Sequence, residues 1–436
     1  MGGHTWMTRG PRVSRRAARL VLATCAMVVV AWGGAGCVPG VDANRQASAT
    51  GGQERRFSEL PAASATPLAG LTAGPLASAD PGRPGFDPRG WKTDFSRYAV
   101  PLDEIQAAGH PRDGIPPIDR PRFESIQRAD EWLKPQEPVI VLELEGVARA
   151  YPLQILLWHV IVNDTLGGVP VAVTFCVYCN SPIAFDRRVD GRTLEFSTTG
   201  NIRALDLVTY DRQTESWWQQ LEGAAIVGEL TGARLTVVSA RFVAWSEFRE
   251  AYPAGQVLSR ETGFQREYGR NPFPGYDEVS RTPFLRGGGQ DAEDPLDGRL
   301  PAMEQVVRVR VEGQQVAYPL SRLASARVAR ERVGGTPLVV FYRPGASPVS
   351  DSGKAANGAA GEGAATVFRA ELDGQPLTFT WLDGAFVDVE SGSRWDHSGR
   401  AQQGRHAGRV LTPLPHDVGF WFTTVASDPA VRLWSP

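Results

Sequence analysis

Residues 142–182 of this chain read "LELEGVARAYPLQILLWHVIVNDTLGGVPVAVTFCVYCNSP", and residues 309–349 read "VRVEGQQVAYPLSRLASARVARERVGGTPLVVFYRPGASPV". The two stretches align without a gap at a constant offset of 167 residues. Gly146 is answered by Gly313, Ala150-Tyr151-Pro152-Leu153 by Ala317-Tyr318-Pro319-Leu320, and Gly167-Gly168 by Gly334-Gly335. Looser echoes follow, with "DGRTLEF" answered by "DGQPLTF" and "TESWW" by "SGSRW". Apolar and glycine positions that return at fixed spacing call for the same supersecondary unit twice. The expectation is therefore two tandem, related units produced by duplication.

Each unit reads as a β-rich α+β arrangement. The alternating run Val139 to Leu144 predicts a strand, and Pro152 stands near the start of a short helix over residues 153–164. Gly167-Gly168 turns into a second strand from Val169 to Phe175, and "DGRTLEF" gives a further strand after a tight turn. Val160, Ile161 and Val162 fit the helix poorly, because β-branched side chains lose rotamer freedom there.

The N-terminus carries five arginines between Arg9 and Arg19, then "LVLATCAMVVVAW", then "GGAGC" ending at Cys37. Charged, apolar and small-residue regions in that order predict a secretion signal over residues 1–37. "GAGC" is similar to a bacterial lipobox with Gly34 in place of the usual leucine, so Cys37 is the expected lipidation site and the membrane the expected partner. Residues 38–85 are rich in Ala, Gly, Pro and Ser and read as a flexible tether. The lead-in segment and first unit are then expected over 86–300, and a second, degenerate unit over 301–436. The formal net charge is −2 and the basic residues are scattered, which gives no field for nucleic acid. No phosphate-binding loop, nucleophile elbow or zinc-protease helix is present, and no nucleotide cofactor is expected.

Cysteine usage narrows the chemistry. Of 4 cysteines, Cys25 falls in the signal and Cys37 in the lipobox, leaving Cys176 and Cys179 for the folded body. A bridge between them closes so short a loop that it removes little unfolded-state entropy, so a purely structural role is the weaker reading. The alternatives are a metal knuckle and a redox dithiol. Pro182 follows too soon for the long helix that carries a thioredoxin pair, which argues for a hairpin.

The second stretch serves as an internal control. His159 faces Ala326, Asn163 faces Arg330, Asp164 faces Glu331, Cys176 faces Arg343 and Cys179 faces Ala346. Any chemistry therefore belongs to the first unit. On the helical reading His159 and Asn163 share one face, which could bring His159 to the thiols. Cys176, Cys179 and His159 would make a soft trigonal set for copper or zinc, with Asp164 or Asn163 completing or orienting it. The bland readings are a satisfied core histidine and a turn signal at Asn163-Asp164. Trp217 and Trp218, with Tyr276 in "YGRNPFPGYD", are either core aromatics or a binding platform.

"DGIPPID", "ARAYPL", "WHVIVND", "VTFCVYCNSPIAFD", "DLVTYDRQTESWWQQ", "GEL" and "YGRNPFPGYD", in this order, resemble the uncharacterised secreted proteins catalogued as domain of unknown function 3179. The resemblance runs from about residue 95 to the C-terminus. It implies a bacterial or archaeal envelope protein or lipoprotein and carries no activity. The family pattern has Glu after the histidine and Pro after the first cysteine, where this chain has Val160 and Val177. His159, Asn163, Asp164, Cys176 and Cys179 match. Three functions remain open: a soft-metal site, a thiol oxidoreductase in which Cys176 attacks and Cys179 resolves, and a tethered binding module.

Overall fold

The computed structural model describes residues 84–273, 297–345 and 363–436. The expectations for the signal, the lipidation of Cys37 and most of the tether lie outside these residues, as does Tyr276. The architecture is β-rich, with several small sheets and no described helix longer than seven residues. Among the described residues no helix is long and apolar enough to cross a membrane.

In chain order the elements that frame the site are β1 (Pro138–Leu144), β2 (Val147–Pro152), α1 (Leu153–His159), β3 (Ile161–Leu166), β4 (Val169–Cys176) and β5 (Ser181–Asp186). Next come β6 (Phe196–Arg203), β7 (Asp206–Asp211), β8 (Trp217–Gln219), β9 (Ala240–Ala244) and α2 (Trp245–Ala251). The later part contributes β10 (Gln305–Val311), β11 (Gln314–Pro319), α3 (Leu320–Ala326), β12 (Val328–Val333), β13 (Thr336–Arg343), β14 (His416–Phe420) and α4 (Trp421–Ser427). β10, β11, α3, β12 and β13 each begin 167 residues after β1, β2, α1, β3 and β4, matching the sequence offset.

Pairing follows the same plan on both sides. β9–β1–β2 is extended by Gln256–Leu258 running parallel to β2, and β14–β10–β11 by Arg432–Leu433 running parallel to β11. β3–β4–β5 and β6–β7–β8 are antiparallel ladders. Two buried polar arrangements also recur. The Tyr151 hydroxyl donates to Asp164 at 2.6 Å, and that of Tyr318 to Glu331 at 2.7 Å. The Trp218 indole donates to Asp211 at 2.9 Å, and that of Trp395 to Asp388 at 2.8 Å.

The largest apolar cluster lies behind the cysteine hairpin, with Ile140, Tyr151, Leu156, Val162, Val173 and Phe175 packed together. Phe420 and Phe422 from β14 and α4 belong to the same cluster, so the later part of the chain completes the core of the earlier part. At roughly 1.5–3 kcal/mol for each large apolar side chain removed from water, this burial helps hold the two parts together.

The helix expected over 153–164 ends at His159. Val160 caps it in the left-handed region at φ 52°, donating its amide to Leu156 at 2.7 Å, and the chain turns at once into β3. A β-branched residue at positive φ is strained, so surrounding contacts must hold it. One of them is the Phe175 amide, which donates to the Val160 carbonyl at 2.8 Å. The β-branched run has won over helical propensity, and His159 and Asn163 do not share a helix face. Trp217 and Trp218 are core: both are buried, Trp217 against Phe86, Trp91 and Phe95, and Trp218 against Phe196.

Candidate functional site

β4 and β5 form a hairpin whose last cross-strand pair is Cys176 with Ser181. Residues 177–180 make the turn, closed by the Asn180 amide donating to the Val177 carbonyl at 3.2 Å, with Asn180 at φ 52°. Asparagine tolerates that conformation better than most residues. The turn places the two cysteine Cα atoms 5.3 Å apart, and Cys176 and Cys179 are joined as a disulfide. Both are buried. The expected hairpin is present, with no helix following the pair.

Two features tune the sulfurs differently. The Cys179 amide points at Sγ of Cys176 across 3.3 Å, a donor that would stabilise a thiolate there. Sγ of Cys179 instead lies 3.3 Å from the Leu205 carbonyl oxygen and 3.5 Å from Oδ1 of Asp206. Those two acceptors come from the β6–β7 turn, where Ala204 and Leu205 both adopt positive φ, 49° and 62°. Such a tight turn normally takes Asn or Gly, so Ala-Leu is strained, and its carbonyl is the one that meets Cys179.

Asp206 is fully buried, and burial pushes its carboxyl up to about 8. The Leu221 amide, donating to Oδ2 at 2.8 Å, and the charge of Arg308 work against burial without overcoming it. At neutral pH Asp206 is therefore mainly a neutral acid beside Cys179. The adjacent Glu222 goes the other way. Burial would raise it, but Arg310, bonded at 2.9 Å and 3.1 Å, brings it down to about 2.

Cys176 borders a small cavity of about 30 Å³ walled by Val160, Phe175, Val177, Tyr178, Leu207 and Phe273. That is room for one or two water molecules. Gly200, at φ 81°, shapes its far wall. A Cβ there would stand 2.1 Å from the His110 carbonyl oxygen, so only glycine lets the lead-in segment cross β6.

The other expected ligands lie elsewhere. His159 has both ring nitrogens engaged, Nδ1 with the Pro116 carbonyl at 2.8 Å and Nε2 with the Tyr268 hydroxyl at 2.7 Å. Burial lowers its pKa, so the ring is neutral. Asn163 donates to Asp119 at 2.8 Å and to the Phe196 carbonyl at 2.9 Å, and accepts from the Phe196 amide at 3.0 Å. Asp164 takes Arg149, Tyr151 and the Thr165 amide. His159 and Asn163 thus fasten the lead-in segment at Pro116 and Asp119, and Asp164 locks β2 to β3. Among the described residues, the one group of three metal-capable side chains with ligand atoms within 4.8 Å of one another is Cys176, Cys179 and Asp206.

Asp206 was not singled out by sequence. Its signal was the opening Asp of "DLVTYDRQTESWWQQ", a carboxylate at the head of an otherwise buried strand, 27 residues from Cys179.

The family of proteins described as "Protein of unknown function (DUF3179)" matches residues 112–430, and the chain belongs to it. No curated protein and no solved structure matches the chain.

Proposed function

We propose that this member of the DUF3179 family is an envelope-tethered thiol–disulfide exchange protein, with Cys176 as the attacked sulfur, Cys179 as its partner and Asp206 as the proton donor and acceptor. The observation that carries the reading is the fully buried Asp206 carboxyl set 3.5 Å from Sγ of Cys179, a group that burial pushes up to about 8. A structural disulfide has no use for such a group, and burying it works against folding at neutral pH.

The exchange balances as follows. A partner thiolate attacks Sγ of Cys176, the Cys176–Cys179 bond breaks, and Cys179 leaves, taking the proton held by Asp206. A second partner thiolate attacks the mixed disulfide and frees Cys176 as a thiolate facing the Cys179 amide. Two partner thiols become one disulfide, and their two electrons reside on the protein's sulfurs. The reverse sequence reduces a partner disulfide, with Asp206 accepting the Cys179 proton. Cys176 lines the cavity and Cys179 does not, so Cys176 is the sulfur that a partner entering there meets first.

Supporting the envelope location is the signal anatomy of residues 1–37, with Cys37 as the lipid anchor. Supporting duplication of one ancestral unit are the constant 167-residue offset and the recurring Tyr–acid and Trp–Asp pairs. On that reading the first unit carries the chemistry and the second keeps only the scaffold.

A second reading rests on the clustering of Cys176, Cys179 and Asp206. Once reduced, two thiolates and a carboxylate suit zinc with an open position, and the thiolates alone suit Cu(I). His159 is no part of this set.

The discriminating experiment is equilibration of the purified protein in glutathione buffers, with thiol counting and metal analysis of the reduced form. The redox reading expects reversible two-electron titration and turnover of a disulfide substrate. A pair that stays oxidised in strong reductant removes the redox reading. A reduced form that holds about one zinc or copper ion and fails to exchange favours the second.

A further inference from the structure

A second cavity, of about 340 Å³, lies where α2 and β9 meet the end of β13 and the turn that holds residues 396–402. It shares no lining residue with the space beside Cys176 and has the volume of a small-molecule site. Three guanidinium groups, from Arg241, Arg343 and Arg400, reach it from different segments, together with Glu247, His397 and Gln402.

The partners of these groups are unequal. Arg241 is deep, bonded to the Tyr252 hydroxyl and 3.6 Å from Glu143. Arg343 is 44% exposed, and among the described residues its guanidinium makes only long contacts, 3.5 Å to Glu247 and 3.8 Å to Glu250. The guanidinium of Arg400 has no hydrogen bond or ion pair among the described residues. Asp396 does not serve it, because that carboxylate is filled by Ser398, the Arg400 amide and Gln402.

Glu247 is the second, independent sign of a ligand. Its side chain is nine-tenths buried, and Oε2 has no hydrogen-bond partner. His397 Nδ1 is 3.8 Å away, and its ring is neutral because burial brings its pKa down to about 3. Burial also raises Glu247 to about 7, against the pull of Arg343, so near neutrality the carboxyl can either donate or accept. A buried oxygen left unsatisfied on the wall of a cavity that also receives the unpaired guanidinium of Arg400 is costly unless something completes it.

We infer that this cavity binds a small polyhydroxylated organic anion, its oxyanion held by Arg343 and Arg400 and a hydroxyl completing Oε2 of Glu247. Planar guanidinium forks favour carboxylate and phosphate oxygens alike, so a sugar acid and a sugar phosphate share the required chemistry. The site stands independently of the redox reading.

Calorimetric titration of the intact protein with glucuronate, glucose 6-phosphate and glucose tests this. The expected result is saturable binding of at least one anion with Kd below about 1 mM and none of glucose. Whichever anion saturates identifies carboxylate or phosphate as the group held. Arg400→Ala, which removes no hydrogen bond or ion pair of the guanidinium among the described residues, should melt close to wild type yet weaken binding at least about tenfold. Glu247→Gln, which can still donate and accept, should bind within a few-fold of wild type. Failure of both anions to saturate at about 10 mM, or equal affinity in Arg400→Ala, overturns the proposal.

Discussion

The Phe420 amide donates to the Cys179 carbonyl across 2.9 Å, which hydrogen-bonds β14 to the turn that carries the disulfide. The approach is tight at Gly419, where a Cβ would stand 3.1 Å from that same carbonyl and force a shift of a few tenths of an ångström. Gly419→Val should push β14 off the hairpin, costing about 1–3 kcal/mol in urea unfolding of the oxidised protein. The same variant should also reduce faster with a small thiol, because the turn is less firmly held.

His159→Ala separates a fastening role from a chemical one. Loss of its bonds to Pro116 and Tyr268 should lower stability by about 1–3 kcal/mol. Thiol alkylation rate in the reduced protein and metal affinity should both stay at wild-type values. A sharp fall in metal affinity would return His159 to the ligand set.

The secondary structure is legible where period and punctuation agree: β1 follows from alternation, β4 from the glycine pair before it, and the hairpin after Cys176 from Pro182, whereas β2 and β3 are not marked by either signal. α1 ends five residues short of the expected 153–164 because the i, i+4 spacing of His159 and Asn163 also fits a helix, and only the β-branched run at 160–162 speaks against it. The site was half legible. Two thiols close in sequence announce themselves, whereas Asp206 reaches them through a turn between two other strands, a contact that spacing does not encode. His159, Asn163 and Asp164 looked like ligands because buried residues that pin a loop are the same polar types that bind metals.

Asp206 makes stability fall with rising pH. Its folded pKa of about 8 lies above an unfolded value of about 3.9, so between those limits the native state binds the extra proton and ionisation favours unfolding. Asp206→Asn, which still accepts from Leu221, should be more stable than wild type at pH 8 and lose that advantage toward pH 4. Paired urea unfolding across this range measures it. A constant difference would mean that Asp206 titrates normally.

Asp211 should be structural. It accepts from the Thr214 amide and hydroxyl and from the Trp218 indole. Asp211→Ala strands buried donors and should cost about 2–4 kcal/mol in chemical denaturation, with the disulfide's exchange rate at native conditions little changed.

Mixed-disulfide trapping, followed by intact mass, tests the exchange chemistry most directly. Reduced Cys179→Ser offered a disulfide substrate should accumulate a covalent adduct on Cys176, since the resolving thiol is gone, while Cys176→Ser should accumulate far less. In the otherwise wild-type oxidised protein, Asp206→Asn should slow reduction by a small thiol about 100-fold at pH 7, the scale of a lost general acid. Equal trapping by both serine variants, or none by either, together with an unchanged rate in Asp206→Asn, would contradict an exchange site built on Cys176, Cys179 and Asp206.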